Sequence, residues 1–440
     1  MDIELIRYEL KLLFRHKFLK LLFIGLGMLV LLGGYNGYSR VEKQLSIIEE
    51  VKQKQTNFYT QNLLLLDSIE KKLRPPSEGW YKNPASVLFV GAFREAGKYT
   101  ILPPSSLAFF STGQSDIYPY YTKVNIVSNN AAKDNQNFEN PFALALGKFD
   151  LTFVCVFLLP LFIIAFSYNI LSSEKEQGTL VLISSMPIST SKWLFLKISI
   201  RTFLFCLITF FWLGIAFISF SFDVFETFSE MIVLLFYILI YIFFWFGVAY
   251  GINYLDKNSA TNALTLVGIW LFFVLILPSV ANLLATVLYP VPSRTIYVIE
   301  QKEAEEQTEK QKDKILKDFY AKNPTHEKKK DVQNWKTRYT KRFAVDAYQQ
   351  RLKSEIDSKF ENYAASQREF ALRFRWLSPS VLLHHNINKI AKTDTETYKN
   401  FQKDTQKFRK EWSDYFIKIF YEDRDLTTKD YENFPSYSKK

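Results

Sequence analysis

The chain has 440 residues, a formal net charge of +11 and 17% aromatic residues, with only 15 glycines and 15 prolines. That balance excludes a disordered or fibrous chain, which would be poor in aromatics or rich in glycine and proline. The charge is unevenly spread: residues 149–288 hold only 12 of the 99 Asp, Glu, Lys and Arg residues, so the averages describe a mixture and not one soluble body.

The leader Met1–Lys20 carries Asp2, Glu4 and Glu9 beside Arg7, Lys11, Arg15, Lys17 and Lys20, with an apolar stripe at Ile3, Ile6, Leu10 and Phe14. The stripe predicts an amphipathic helix on a membrane surface. Its acidic residues argue for an uncleaved anchor over a secretory signal peptide. Leu21–Tyr38 follows as the first membrane helix, shorter than the others and rich in glycine. In 41–73, Val41, Leu45, Ile48, Val51, Phe58, Leu66, Ile69 and Leu73 recur at a helical spacing, and Pro75-Pro76 stops the pattern. From there to Asn140 the chain reads as loops with a small β element around Tyr120–Val127.

Leu151–Leu171, Phe203–Phe222, Met231–Ile252 and Asn262–Leu288 contain no charged residue. About 20 apolar residues span a hydrocarbon layer roughly 30 Å thick. One charge at a helix centre costs about 2.5–3.5 kcal/mol. The reading is a polytopic α-helical membrane protein with five predicted membrane helices. The basic leader puts the N-terminus in the cytoplasm. Residues 39–148, 223–230 and 289–440 are then extracytoplasmic, and 172–197 and 253–261 cytoplasmic. The short loops agree, since 223–230 has Asp223, Glu226 and Glu230 with no Lys or Arg, whereas 172–197 has Lys175, Lys192 and Lys197.

In the tail, Val332, Trp335, Tyr339, Phe343, Ala347, Leu352, Ile356, Phe360 and Tyr363 form a helical stripe ended near Pro379. Tyr398, Phe401, Phe408, Trp412, Phe416 and Ile419 form another, and Glu300–Lys317 is a solvated, charged stretch. These stripes and 41–73 are expected to pack into a mainly helical extracytoplasmic domain. The resulting divisions are 1–38, 39–148, 149–288 and 289–440.

Motifs for chemistry are few. Cys155 and Cys206 lie in predicted membrane helices as small apolar fillers. His384-His385 lacks a third ligand nearby, so no metal site is expected. Gly91–Lys98 resembles a phosphate loop superficially, but five residues separate its glycines and Tyr99 stands where Ser or Thr should hold magnesium. The chain reads as a non-enzyme that binds no cofactor or nucleic acid.

The most informative stretch runs Glu174-Lys-Glu176-Gln-Gly178-Thr179-Leu180, then Pro187-Ile188-Ser189, then Lys197 at the start of the next membrane helix. It resembles the ABC-2 permeases, the membrane subunits of type-2 ABC transporters, in which a helix ends in E-x-E/R-x-G-T-L followed by P-I/V-S/T and a lysine. The leader is similar to the family's elbow helix. The tail segment Ser378-Pro379 to Thr393-Asp394, with Phe401 beyond it, resembles a subgroup carrying a large extracytoplasmic insert, although Lys392 stands where glycine is common. The family has six membrane helices and no sixth long apolar run follows Trp412. Either the subunit crosses five times or a sixth helix is missing; the second is favoured, with the tail's end approaching the membrane.

The resemblance implies an exporter permease in a bacterial inner membrane, coupled to a separate ABC ATPase dimer that binds ATP and Mg. It also implies a second permease subunit and an extracytoplasmic partner. Glu174, Glu176, Gly178, Thr179, Leu180, Pro187 and Lys197 become the ATPase-coupling residues, with Glu174 and Glu176 as exposed acceptors and Leu180, Leu182 and Ile183 as an apolar knob. The other reading of this stretch is an ordinary capped loop. Tyr168, Asn169, Asn253 and Asn282 could line a translocation path, alongside Tyr237, Tyr241 and Tyr250. Interfacial anchoring and helix–helix hydrogen bonding are the competing explanation. Two alternatives stay open: a mechanotransmitting ABC subunit that drives an outer partner without passing solute, and an anchor or sensor with no ATPase.

Overall fold

A computed structural model describes residues 2–15, 17–76, 79–92, 96–126, 149–181, 185, 189–223, 227–324 and 334–437. Among these residues, five helices are long and apolar enough to cross a membrane: α2 (Lys17–Glu70), α4 (Leu151–Glu176), α5 (Thr190–Phe220), α6 (Phe228–Tyr254) and α7 (Ser259–Leu288). Each contains one of the five apolar runs read from the sequence, except that Phe203–Phe222 overruns α5 by two residues, and the chain is a helical membrane protein. Ahead of them lies α1 (Asp2–Arg15), whose Leu13 is buried in the bundle core with Ile6 and Leu10 packed beside it, while Tyr8 and Phe14 remain exposed.

The first membrane run and the 41–73 stripe form one helix, so the division at residue 38 falls inside α2. Its 54 residues rise roughly 80 Å at 1.5 Å per residue. Nothing between Tyr38 and Glu70 breaks it, and its glycines serve close approach: a Cβ at Gly33 would lie 3.0 Å from the Asp150 backbone. Gly37 likewise faces the Phe109 carbonyl with no room for a side chain. The helix ends where Lys72 adopts φ +57°, ahead of Pro75-Pro76.

Two prolines inside membrane helices are accommodated by π-helical turns. Val154–Leu158 precedes Pro160 in α4, and Phe272–Ile276 precedes Pro278 in α7. Leu277 N–H bonds the Phe272 carbonyl five residues back, so the next carbonyl, Phe273, would need the N–H that Pro278 lacks. The hydroxyls of Ser378 and Ser380 donate to it instead, at 2.8 and 2.9 Å. In α4 the Tyr241 hydroxyl donates to the Val156 carbonyl at 2.8 Å.

Those two serines introduce α11 (Pro379–Ile390), which corrects the expectation that the tail is wholly an outer domain. The stripe before it ends as α10 (Asn334–Arg373), and Pro379 opens a short helix that packs against α6 and both π turns, burying Leu383 and Ile387 in the membrane-bundle core. Loop 105–115 fastens it: Ser105 Oγ donates to the Ala391 carbonyl at 2.6 Å, Gln114 N–H to the Thr393 carbonyl at 2.8 Å, and Ser111 bonds Asn388. The same loop is held by Arg40, which donates to the Ala108 and Ser111 carbonyls, and by Asp150, which accepts from Thr112 N–H at 2.8 Å.

The polar half contains α3 (Val87–Ala92), a hairpin of β1 (Lys98–Ile101) antiparallel to β2 (Tyr121–Val124) with Lys98 opposite Val124, and the helices α8 (Arg294–Lys310), α9 (Lys312–Lys322), α10, α12 (Thr395–Tyr421) and α13 (Thr428–Glu432). The small β element expected near Tyr120–Val127 is thus β2. The three stripes meet, though unequally. Phe408, Trp412 and Phe416 of α12 make the aromatic core with Val87–Val90, Phe343 and Phe434, and Phe58 and Tyr59 of α2 border it. The rest of α10 pairs with α8 and α9. Thr428 bonds the Glu70 carboxylate and Phe434 packs on Tyr59, so residues 428–434 sit on the end of α2 remote from the membrane run. The expectation that this segment approaches the membrane is corrected.

Candidate functional site

The loop after α4 begins with a helix end whose form is dictated by sequence. Gly178 takes φ +75°, a left-handed conformation that glycine adopts without strain. Thr179 N–H bonds the Glu174 carbonyl at 3.0 Å and Gly178 N–H the Lys175 carbonyl at 3.1 Å, the paired bonds of a Schellman cap. Thr179 Oγ1 adds a bond to the Glu174 carbonyl at 3.0 Å and another to its carboxylate. In physical terms, E-x-E-x-G-T is a helix C-cap with its own carboxylate clamp.

That carboxylate faces inward, which corrects the expectation of an exposed acceptor. Lys197 Nζ on α5 lies 2.7 Å from Glu174 Oε1 and 3.3 Å from Glu9 Oε2 on α1. Arg201, one turn further along α5, lies 3.5 Å from Glu9 and donates to the Phe166 carbonyl of α4 at 2.6 Å. Glu9 is only 1% exposed. Two carboxylates and two cations therefore neutralise one another beneath the loop, joining α1, α4 and α5. Aromatic faces line the group, with Lys197 4.2 Å from the Trp193 ring centroid and Arg201 5.4 Å from that of Phe166.

Glu176 ties the same loop to α7. Its carboxylate accepts from Ser259 N–H at 2.9 Å, at the positive end of the helix, and Ser259 Oγ donates to Ser172 Oγ at 2.8 Å. Lys175 pairs with Asp256 at 3.0 Å in the α6–α7 turn. Loops 172–181 and 255–258 consequently occupy one end of the bundle. Leu180 packs against the bundle core, so it does not project as a knob. Gln177 and Gly178 are exposed and Val181 is 75% exposed. Leu182, Ile183 and Pro187 lie outside the described residues.

Of the proposed path residues, Tyr168, Asn169 and Asn253 gather at one turn, where they join α4 to α6, and Asn282 lies apart from them. Asn253 is fully buried and works as a splice: its amide donates to the Ser167 and Ala249 carbonyls at 2.9 and 2.8 Å and accepts from Leu171 N–H, where α4 loosens into a turn at 168–171. Tyr168 packs beside Ala249 and Leu266, and Asn169 is half-buried at the same turn. Asn282 is exposed on α7, more than six helical turns from its loop-end residue Ser259. Tyr250 shares a hydrogen bond with Ser191 at 3.0 Å.

Reading the sequence missed Glu9 and Arg201 as members of the charge group. The available signal was an acidic residue in an otherwise basic leader, matched by an arginine two residues before the charge-free run that starts at Phe203.

Comparison with known proteins touches only the tail. A family model described as a domain of unknown function (DUF3526) matches residues 294–439. No curated protein and no solved structure matches the chain.

Proposed function

We propose that the chain is the permease subunit of an ABC-2 type exporter in a bacterial inner membrane. In this reading the loop after α4 receives the motion of a separate ATPase, which binds ATP and Mg. The N-terminus and loop 172–197 are cytoplasmic, the polar half is extracytoplasmic, and a second permease subunit completes the pathway. One observation carries the proposal: the loop is a stiff, capped turn pinned through Glu174, Lys197, Glu9, Glu176 and Ser259 to α1, α4, α5 and α7 at once, while Gln177, Gly178 and Val181 face outward. A push on that exposed tip has no slack to absorb it, and four helices move together. Glu174 and Lys197 then act behind the contact surface, as transmitters.

The test is co-purification. An ABC ATPase is expected to accompany the wild-type chain from membranes, and Gln177→Arg with Val181→Asp is expected to lose it while the permease still inserts and melts normally. An unchanged ATPase yield on that double variant would contradict the assignment.

The mechanotransmitting alternative also has support. Helix α2 runs unbroken from the loop end of the bundle to the polar half, and α11 returns from the polar half into the bundle core. Movement at the loop would thereby reach residues 59–70 without any solute path.

A further inference from the structure

The tail's surplus charge is concentrated in one place. Residues 310–342 hold twelve basic and four acidic side chains, whereas the rest of 289–440 holds twenty of each. Eight of those basic and two of those acidic side chains are among the described residues, at the end of α8, on α9 and in the first turns of α10. Elsewhere in the tail the two signs are equal in number and some of them pair, as in Lys353–Glu305, Lys359–Glu300 and Lys399–Glu361. Among the described residues here, ion pairs engage Lys312 and Arg342. Lys310, Lys314, Lys317, Lys322, Arg338 and Lys341 are exposed, with no ion-pair partner among the described residues.

The patch is not purely polar. A cavity of about 580 Å³ opens among these lysines, with Lys317 and Lys341 on its wall beside one carboxylate, Asp313, and the less polar Leu316, Tyr320, Ala321 and Pro324. Its own membrane is out of reach. Phe319 stacks near Tyr421, the last residue of α12, and that helix spans roughly 40 Å from the α11 end, several screening lengths at physiological salt.

We infer that this end of the arm is a docking surface for an acidic segment of a partner protein that carries an apolar side chain. Lysine ammoniums meet carboxylates singly, without the fork geometry that favours phosphate. The apolar wall gives one side chain of such a segment a place to bury, which a glycan or phosphate polymer would leave unfilled.

The test uses the full-length chain in detergent and fluorescence anisotropy with three probes: a short poly-Glu peptide with one central Phe, the same peptide without Phe, and a heparin oligosaccharide. The Phe peptide should bind best and weaken with salt. Lys317→Glu with Lys341→Glu should weaken it about tenfold, and Tyr320→Ser should reduce it to the level of the all-Glu peptide. Lys407→Glu with Lys410→Glu, exposed on α12, should change nothing. Equal or tighter binding of heparin or of the all-Glu peptide, no binding at low salt, or indifference to the charge reversal would each overturn the inference.

Discussion

Replacing Lys197 by methionine isolates the charge group under the loop. The substitution keeps most of the side-chain volume but removes the cation lying 2.7 Å from Glu174 and 3.3 Å from Glu9. Those carboxylates are 24% and 1% exposed, so water replaces little of what is lost, and Arg201 alone remains as counter-charge. Removing one member of a buried ion group costs about 3–5 kcal/mol, because the partner is left charged and desolvated. For a cooperative unit of about 200 residues, 3 kcal/mol corresponds to a fall of roughly 6–12 °C in apparent melting temperature. Glu174→Gln in the same chain removes the stranded charge and should restore more than half of that loss. The assay is thermal unfolding of the purified protein in detergent, followed by intrinsic Trp fluorescence, for the two single variants and the double. A Lys197→Met protein melting within about 1 °C of wild type, or a double variant with additive losses, would refute the linkage.

Further consequences follow for other parts of the molecule. Ser378→Ala with Ser380→Ala leaves the Phe273 carbonyl without a donor, at a cost of about 1–3 kcal/mol, and should raise amide exchange across 379–390, while Ser380→Ala alone stays near wild type and Ser378→Ala alone shows only the loss of its cap on Val381 N–H. Gly37→Val has no space beside the Phe109 carbonyl and should abolish stable folding, measured as yield of monodisperse protein; Gly178→Ala, where φ is +75° but no atom lies within 4 Å of the new Cβ, should cost only about 1 kcal/mol. The Arg424 guanidinium, bonded to Asp430 at 2.7 Å, holds that carboxyl well below the usual carboxylate range. Its contribution is therefore present above about pH 4 and lost as pH falls through the lowered value, so the stability gap between wild type and Asp430→Asn should be constant from about pH 5 to 8 and close below about pH 4.

The membrane helices are legible because hydrocarbon exacts a uniform demand: 20 or so residues without charge mean the same thing in any fold. The capped loop is legible for a local reason, since Gly178 and Thr179 close the turn through backbone bonds to residues three and five positions back. What was not legible depends on distant partners. Glu174 reads as a solvated acid until Lys197 and Glu9 converge on it from other helices. Helix α11 reads as an outer segment because it follows the last long apolar run, yet Ser378 and Ser380 serve a carbonyl freed by Pro278 more than a hundred residues earlier and Asn388 serves a loop at Ser111. Pro278 announces a kink without naming the donor that repairs it. The unbroken α2 was obscured by Gly33, Gly34 and Gly37, which admit the Asp150 backbone, the Phe220 ring and the Phe109 backbone respectively.

The central claim is that the exposed tip of the loop after α4 contacts an ATPase. A photo-crosslinking amino acid at Val181, 75% exposed, measures this most directly in intact cells, with Ile296 on α8, 46% exposed, as control. The account predicts an adduct between position 181 and an ABC ATPase, strengthened when ATP turnover is arrested, and none from position 296. An ATPase adduct from position 296, or modification of a Val181→Cys chain by a membrane-impermeant thiol reagent added outside the cell, would contradict it.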